Sequence, residues 1–125
     1  MPKKAVLSDS LPNPAGPYSH AVEANGIVFT AGFGPQDPAT GLVPEGIAAQ
    51  TEQVISNVAT ALAQFDLTLA DVVKTTVHLE DLADFAAYNE VYARRFPAPY
   101  PARTTVGSRL ANILVEIDAV AVRTN

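Results

Sequence analysis

The chain has 125 residues, with eight Lys/Arg against thirteen Asp/Glu for a net charge of −5, and no cysteine. A chain of this length holds one domain, expected to span 1–125, and its 48% hydrophobic content excludes disorder as the governing state. The absence of thiols excludes disulfides, thiolate zinc sites and a cysteine nucleophile, and the dispersed basic residues lack the stripe that a nucleic-acid partner requires.

The N-terminus carries no apolar core of a signal peptide, and no apolar run approaches the roughly 18 residues of a membrane span. A soluble, cytoplasmic protein with no membrane partner is therefore expected. Two histidines, His20 and His78, are too few to suggest a His-based metal site.

In chain order, a short strand is expected near Lys4–Leu7. A hairpin of His20–Ala24 and Ile27–Gly32 follows, turned at Asn25-Gly26, a dipeptide whose residues both tolerate positive φ. Residues 46–65 form a helix, because Ile47, Thr51, Val54, Ile55, Val58, Leu62 and Phe65 recur on one face at helical spacing. Val72–Glu80 alternates as a strand, with Val73, Thr75, Val77 and Leu79 on one face.

A second helix is expected at about Asp84–Phe96, where Asp84 suits the positive end of the helix dipole. Strands at about Arg103–Ser108 and Ile113–Arg123 complete the order βββ-α-β-α-ββ. This is an α+β arrangement, with one mixed sheet and two helices packed on one of its faces. In the last strand Val115, Ile117, Ala119 and Ala121 supply the helix-packed face. The other side still carries Leu114, Val120 and Val122, apolar surface of the kind that marks an interface.

Two charges interrupt these apolar strands, Arg103 and Glu116. Charged side chains are rarely buried unless paired or serving a site. Arginine presents a planar fork that matches a carboxylate, and a nearby glutamate can hold or activate water. If the two strands are neighbours, the pair suits an anionic, hydrolysable substrate. The bland alternatives are an Arg103 ion pair with Glu116 or Asp118, and a solvated Glu116 at a strand edge. Tyr18 is a loop residue that either packs or meets a ligand. Asn89 can hydrogen-bond backbone or ligand, Thr105 offers one hydroxyl, and Gly32 either exposes its N–H to a ligand or forms a bulge.

Several short segments occur in a fixed order: Gly16-Pro17-Tyr18-Ser19, Asp37-Pro38-Ala39-Thr40-Gly41, Val72-Val73-Lys74-Thr75-Thr76-Val77, Tyr88-Asn89-Glu90-Val91-Tyr92, Pro101-Ala102-Arg103 and Val115-Glu116-Ile117. Together they resemble the Rid (YjgF) family of reactive-intermediate deaminases over nearly the whole chain. The resemblance implies a chorismate-mutase-like fold, a homotrimer, and active sites in clefts between subunits. It implies cofactor-independent hydrolysis of 2-imino acids or their enamine tautomers to 2-oxo acids and ammonia, which protects pyridoxal-phosphate enzymes from 2-aminoacrylate. By the same resemblance Arg103 binds the substrate carboxylate, Glu116 orients the attacking water, and Tyr18 closes the cleft. Asn89 lies at the edge of that cleft, Thr105 stands where several relatives carry cysteine, and Gly32 and Thr105 are further candidate substrate contacts.

Three places depart from the family pattern and bear on substrate preference. Ala31 stands where many relatives carry serine, Gly32-Phe33-Gly34-Pro35 replaces the usual loop, and the Arg103–Glu116 link is about two residues short. Two other functions remain open on the sequence: a trimeric ligand-binding or regulatory protein with little turnover, and a ribonuclease or translation inhibitor, which the acidic charge disfavours.

Overall fold

Asn25 and Gly26 adopt φ of 53° and 77° in a computed structural model that describes residues 3–124. These positive angles match the twist of paired strands, and glycine meets the second at no steric cost. The turn joins β2 (Ala21–Ala24) to β3 (Ile27–Thr30), and β1 (Lys4–Val6) adds to the free edge of β2. Helix α1 (Ile47–Ala63), β4 (Val72–Leu79), α2 (Phe85–Arg95), β5 (Ala102–Gly107) and β6 (Val115–Val122) follow. Each element has the expected type. A one-turn 3-10 helix (Leu82–Asp84) supplies the start expected of α2.

The six strands lie in the order β1-β2-β3-β6-β4-β5. Only β4 and β5 pair in parallel, and α2 makes the crossover between them. The sheet is open and mixed, and both helices pack on one face. The helical periodicity is the cause: Val54, Ile55, Val58 and Leu62 of α1 are fully buried, and α1 packs against β3 and β6. Each such side chain contributes about 2 kcal/mol by leaving water. Helix α2 packs on α1 and is held there by Glu52, which accepts from Arg95 at 2.7 Å and Arg94 at 2.9 Å. The Arg95 hydrogen bond is the main cause holding the Glu52 carboxyl below its ordinary range.

Strand β6 alternates buried and half-buried residues along its length, with Val115, Ile117, Ala119 and Ala121 in the core. Strand β4 departs from the expected alternation at one point. The pairing with β6 shifts between Val72, opposite Ala121, and Lys74, opposite Val120. Val73 is the extra residue of this bulge and is 49% exposed, while Val72 takes the buried place. A strict period of two therefore put Val73 on the wrong face.

Two buried amides tie loops to this frame. Asn57 donates to Gly34 O and Gln36 O, both at 3.0 Å. Gln50 donates to Pro44 O and accepts from the Leu114 N–H just ahead of β6. These bonds hold the 34–36 loop and the start of β6 against α1. Leaving such backbone groups unpaired inside the protein would cost about 1–3 kcal/mol each.

The face turned away from the helices keeps an apolar row across three strands, Val22, Phe29 and Val120. Phe29 is 47% exposed. Beside it lies a polar row of Thr104, Thr76 and Asp118. Partial burial raises the Asp118 carboxyl above its ordinary value, opposed by the charges of His78 and Lys74.

Candidate active site

Arg103 and Glu116 are not on neighbouring strands, because β4 lies between β5 and β6. Directly opposed residues share a face of the sheet. Arg103 opposes Thr75, which opposes Ala119, and both of those are buried beneath the helices. Glu116 opposes His78, which opposes Val106, in a row on the open face. The two charges of one chain thus point to opposite sides of the sheet. The adjacency that the sequence left as a condition is not met within the chain, and no Arg103 ion pair with Glu116 or Asp118 forms among the described residues.

The first group of residues surrounds Arg103. Phe85, Tyr88 and Tyr92 recur at helical spacing on α2 and lie along the face turned to β5. Their ring centroids sit 5.6, 5.1 and 4.9 Å from Arg103 Cζ. A guanidinium over an aromatic face gains about 0.5–1 kcal/mol, more when water is excluded. The platform is itself fixed from below. Tyr92 Oη lies 2.8 Å from Thr75 Oγ1, and Tyr88 Oη lies 3.3 Å from Thr105 Oγ1. Burial pushes both phenols above the ordinary tyrosine value, against those hydrogen bonds and the Arg103 charge. Both rings therefore stay neutral through the physiological range.

Asn89 Oδ1 accepts from an Arg103 Nη at 2.8 Å, which sets the plane of the fork. Arg94 and Arg95 pair with Glu52, and Arg123 pairs with Glu23. Arg103 meets no carboxylate among the described residues, although it is half-buried. A held, partly desolvated arginine without its own anion is arranged to receive one.

The second group gathers around Glu116, whose row lies on the open face of the sheet. Tyr18, Gly32 and Glu116 line a shared recess on one side, continuous with Phe33, His20 and Ile113 on the other. Tyr18 is 47% exposed, and its hydroxyl accepts from the Ala15 N–H at 3.1 Å. His20 anchors the loop that carries Tyr18. Its Nδ1 accepts from the Ser8 N–H at 3.0 Å, so Nε2 carries the proton given to Pro12 O at 2.7 Å.

Gly32 lies past the end of β3, not within the strand as expected. Phe29 opposes Val120 and Phe33 opposes Ile117. Three residues, Thr30 to Gly32, therefore face two, Asp118 and Ala119, which is a bulge. Thr30 Oγ1 takes the Ala119 N–H where the ladder is interrupted. The Gly32 N–H has no partner among the described residues. A Cβ at Gly32 would lie 2.6 Å from Glu116 Oε2, so glycine here leaves room for the carboxylate.

The structure thus brings Arg103, Asn89 and Thr105 together, and separately Tyr18, Gly32 and Glu116. It does not unite the two groups within one chain. The aromatic platform and the His20 anchor were missed in the sequence. The stripe at 85, 88 and 92 was visible as helical spacing, but core packing accounts for such a stripe equally well. Among the described residues no three His, Asp or Glu side chains gather to hold a metal, and no helix is long and apolar enough to cross a membrane.

The chain as a whole is similar to known proteins. Residues 8–123 match the family model described as Endoribonuclease L-PSP. The chain is 44% identical over 124 residues to a RutC family protein of Pyrococcus abyssi, covering 97% of this chain and 98% of that one. It is 39% identical over 125 residues to the 2-iminobutanoate/2-iminopropanoate deaminase of Salmonella typhimurium, covering 96% and 98%. The crystal structure of E. coli TdcF with bound serine superposes with a TM-score of 0.92 at 36% identity, covering 97% of this chain and 99% of TdcF. With a family model matched over residues 8–123 and nearly the full length of these relatives covered, the chain belongs to the RidA/YjgF (RutC) family.

Proposed function

We propose that this protein is a 2-iminobutanoate/2-iminopropanoate deaminase that needs no cofactor and protects pyridoxal-phosphate enzymes from 2-aminoacrylate. The observation that carries this reading is Arg103, a carboxylate receptor fixed on three rings and one amide with no anion of its own. The Salmonella relative's stated activity supplies the reaction class. The endonuclease named in the family model finds less support, since a net charge of −5 without a basic stripe repels a polyphosphate.

In this reading the Arg103 fork holds the substrate carboxylate and leaves the imine carbon facing Glu116 of a neighbouring copy. Glu116 accepts a proton from water as the oxygen adds to C2 of the imine. That proton passes to nitrogen to give the carbinolamine, the hydroxyl proton then follows it to nitrogen through Glu116 as the C–N bond breaks, ammonia departs, and the 2-oxo acid remains. The Gly32 N–H is free to donate to the ligand, and Tyr18 covers the cleft. Imines hydrolyse unaided, so positioning and modest proton transfer suffice.

Because one chain presents the two groups on opposite faces of its sheet, a complete site requires a second copy. The exposed Val22–Phe29–Val120 row is the apolar surface such copies would cover. Light scattering is expected to give a homotrimer near three times 13.1 kDa. A stable monomer at micromolar concentration would remove the shared site and this mechanism with it.

Turnover of imines made in situ by an amino-acid oxidase, corrected for spontaneous hydrolysis, tests the activity. Binding of 2-oxo acids without acceleration would favour a non-catalytic ligand-binding protein. Gly32→Ala provides a sharper probe. The Gly32 backbone is compatible with alanine, so the effect isolates the 2.6 Å contact with Glu116 Oε2. The carboxylate must swing aside, and turnover is expected to fall about tenfold or more while the melting temperature barely moves. Unchanged turnover would show that the carboxylate position does not matter.

A further inference from the structure

A groove of about 340 Å³ opens beside the Arg103 guanidinium, lined by Asn89, Tyr92, Ala93, Tyr100, Pro101 and Arg103. This volume lies within the range of small-molecule sites, roughly 300–1,000 Å³. Its polar groups sit at one end, where Asn89 and Arg103 meet. The other lining residues are Tyr92, Ala93, Tyr100 and Pro101, whose side chains are aromatic or aliphatic apart from two phenol hydroxyls, each taken up by a hydrogen bond. An anion-binding fork that opens onto an apolar trough matches a ligand with a carboxylate head and a hydrocarbon body.

The trough is preorganised. Its outer wall, Tyr100 and Pro101, ends the segment 97–101, where three prolines of five residues restrict the backbone. Tyr100 is 55% exposed and folds back over the helix, its hydroxyl donating to Ala93 O at 3.4 Å. The floor comes from α2, where Ala93 is exposed and leaves the space that a longer side chain would fill. A methyl or ethyl substituent would leave most of this trough in contact with water.

We infer that the groove beside Arg103 receives the substrate side chain, and that this enzyme favours 2-imino acids bearing a large apolar or aromatic substituent. The inference rests on the deaminase reading of the Arg103 site and extends it beyond the smallest imines. The carboxylate binds the fork, the substituent lies between Tyr100 and α2, and C2 remains directed out of the groove toward the attacking water.

The experiment compares imines generated in situ from phenylalanine and alanine, with uncatalysed hydrolysis subtracted. Wild-type kcat/KM should be about tenfold higher for the phenylalanine-derived imine, the discrimination expected for a hydrophobic pocket. Ala93→Leu fills the trough from an exposed helical position where both residues favour helix, and should cut that ratio about tenfold. Tyr100→Ser removes the opposite wall and should lower the same ratio, which keeps the test decisive if either variant folds poorly. A ratio near one in the wild type, or a preference that survives both substitutions, would overturn the inference while leaving the deaminase intact. If no imine is hydrolysed, the deaminase reading fails and calorimetric binding of phenylpyruvate against pyruvate decides the groove. Tighter phenylpyruvate binding that Ala93→Leu removes would sustain the groove as an aryl carboxylate site, whereas equal binding would end it.

Discussion

Arg103→Ala is expected to lower kcat/KM for every imine by about a hundredfold or more, the loss that follows from truncating one partner of a desolvated charge pair. The fold, and with it the proposed trimer, should persist, because Arg103 forms no ion pair with the rest of its chain among the described residues. The folded state does lose the cation on Phe85, Tyr88 and Tyr92. A loss of about 1–2 kcal/mol and a few degrees in melting temperature is expected from that platform. Arg103→Lys should restore stability better than activity, since an ammonium can sit near the rings but cannot reproduce the bidentate fork. Kinetics, product affinity and thermal melts on the same preparations check all three statements. Complete unfolding of Arg103→Ala with no separable effect on affinity would make the arginine structural.

Glu116→Gln is expected to lower kcat about a hundredfold while the affinity for a 2-oxo acid product changes little, as removal of a general base predicts. Glutamine has the same shape and fits the same space beside Gly32, so the comparison isolates the carboxylate's basicity. Stopped-flow rates corrected for spontaneous hydrolysis are needed, because the background would otherwise conceal part of the loss. A correctly folded trimer with unchanged kcat would remove Glu116 from the chemistry. Arg103 and backbone-held water would then have to account for the rate.

Much of the fold was legible because its signals are local. The stripe Val54, Ile55, Val58 and Leu62 could only be the inner face of a helix, and all four are fully buried. Asn25-Gly26 could only turn a hairpin, and both residues take positive φ. The bulge at Val73 was not legible, since strict alternation with Thr75, Val77 and Leu79 selects Val73, and only the pairing with β6 gives the buried place to Val72. A bulge at Gly32 was one of two alternatives in the sequence, and the pairing with β6 decides it, because the extra residue exists only relative to the partner strand.

The site divides along the same line. By itself the sequence determined which groups are present: an arginine and a glutamate within apolar strands, a loop tyrosine, and a glycine after an apolar strand run. Side-chain chemistry and short-range spacing are properties of the chain alone. Only the tertiary structure decided that β6 inserts between β3 and β4, which separates Arg103 from Glu116 by a strand and turns them to opposite faces. It also placed Phe85, Tyr88 and Tyr92 beneath Arg103 and opened the groove against Tyr100. The physical reason is that strand order and helix docking arise from contacts between residues far apart in the chain. Local periodicity sets which residues share a face, but it carries no information about which other element that face will meet.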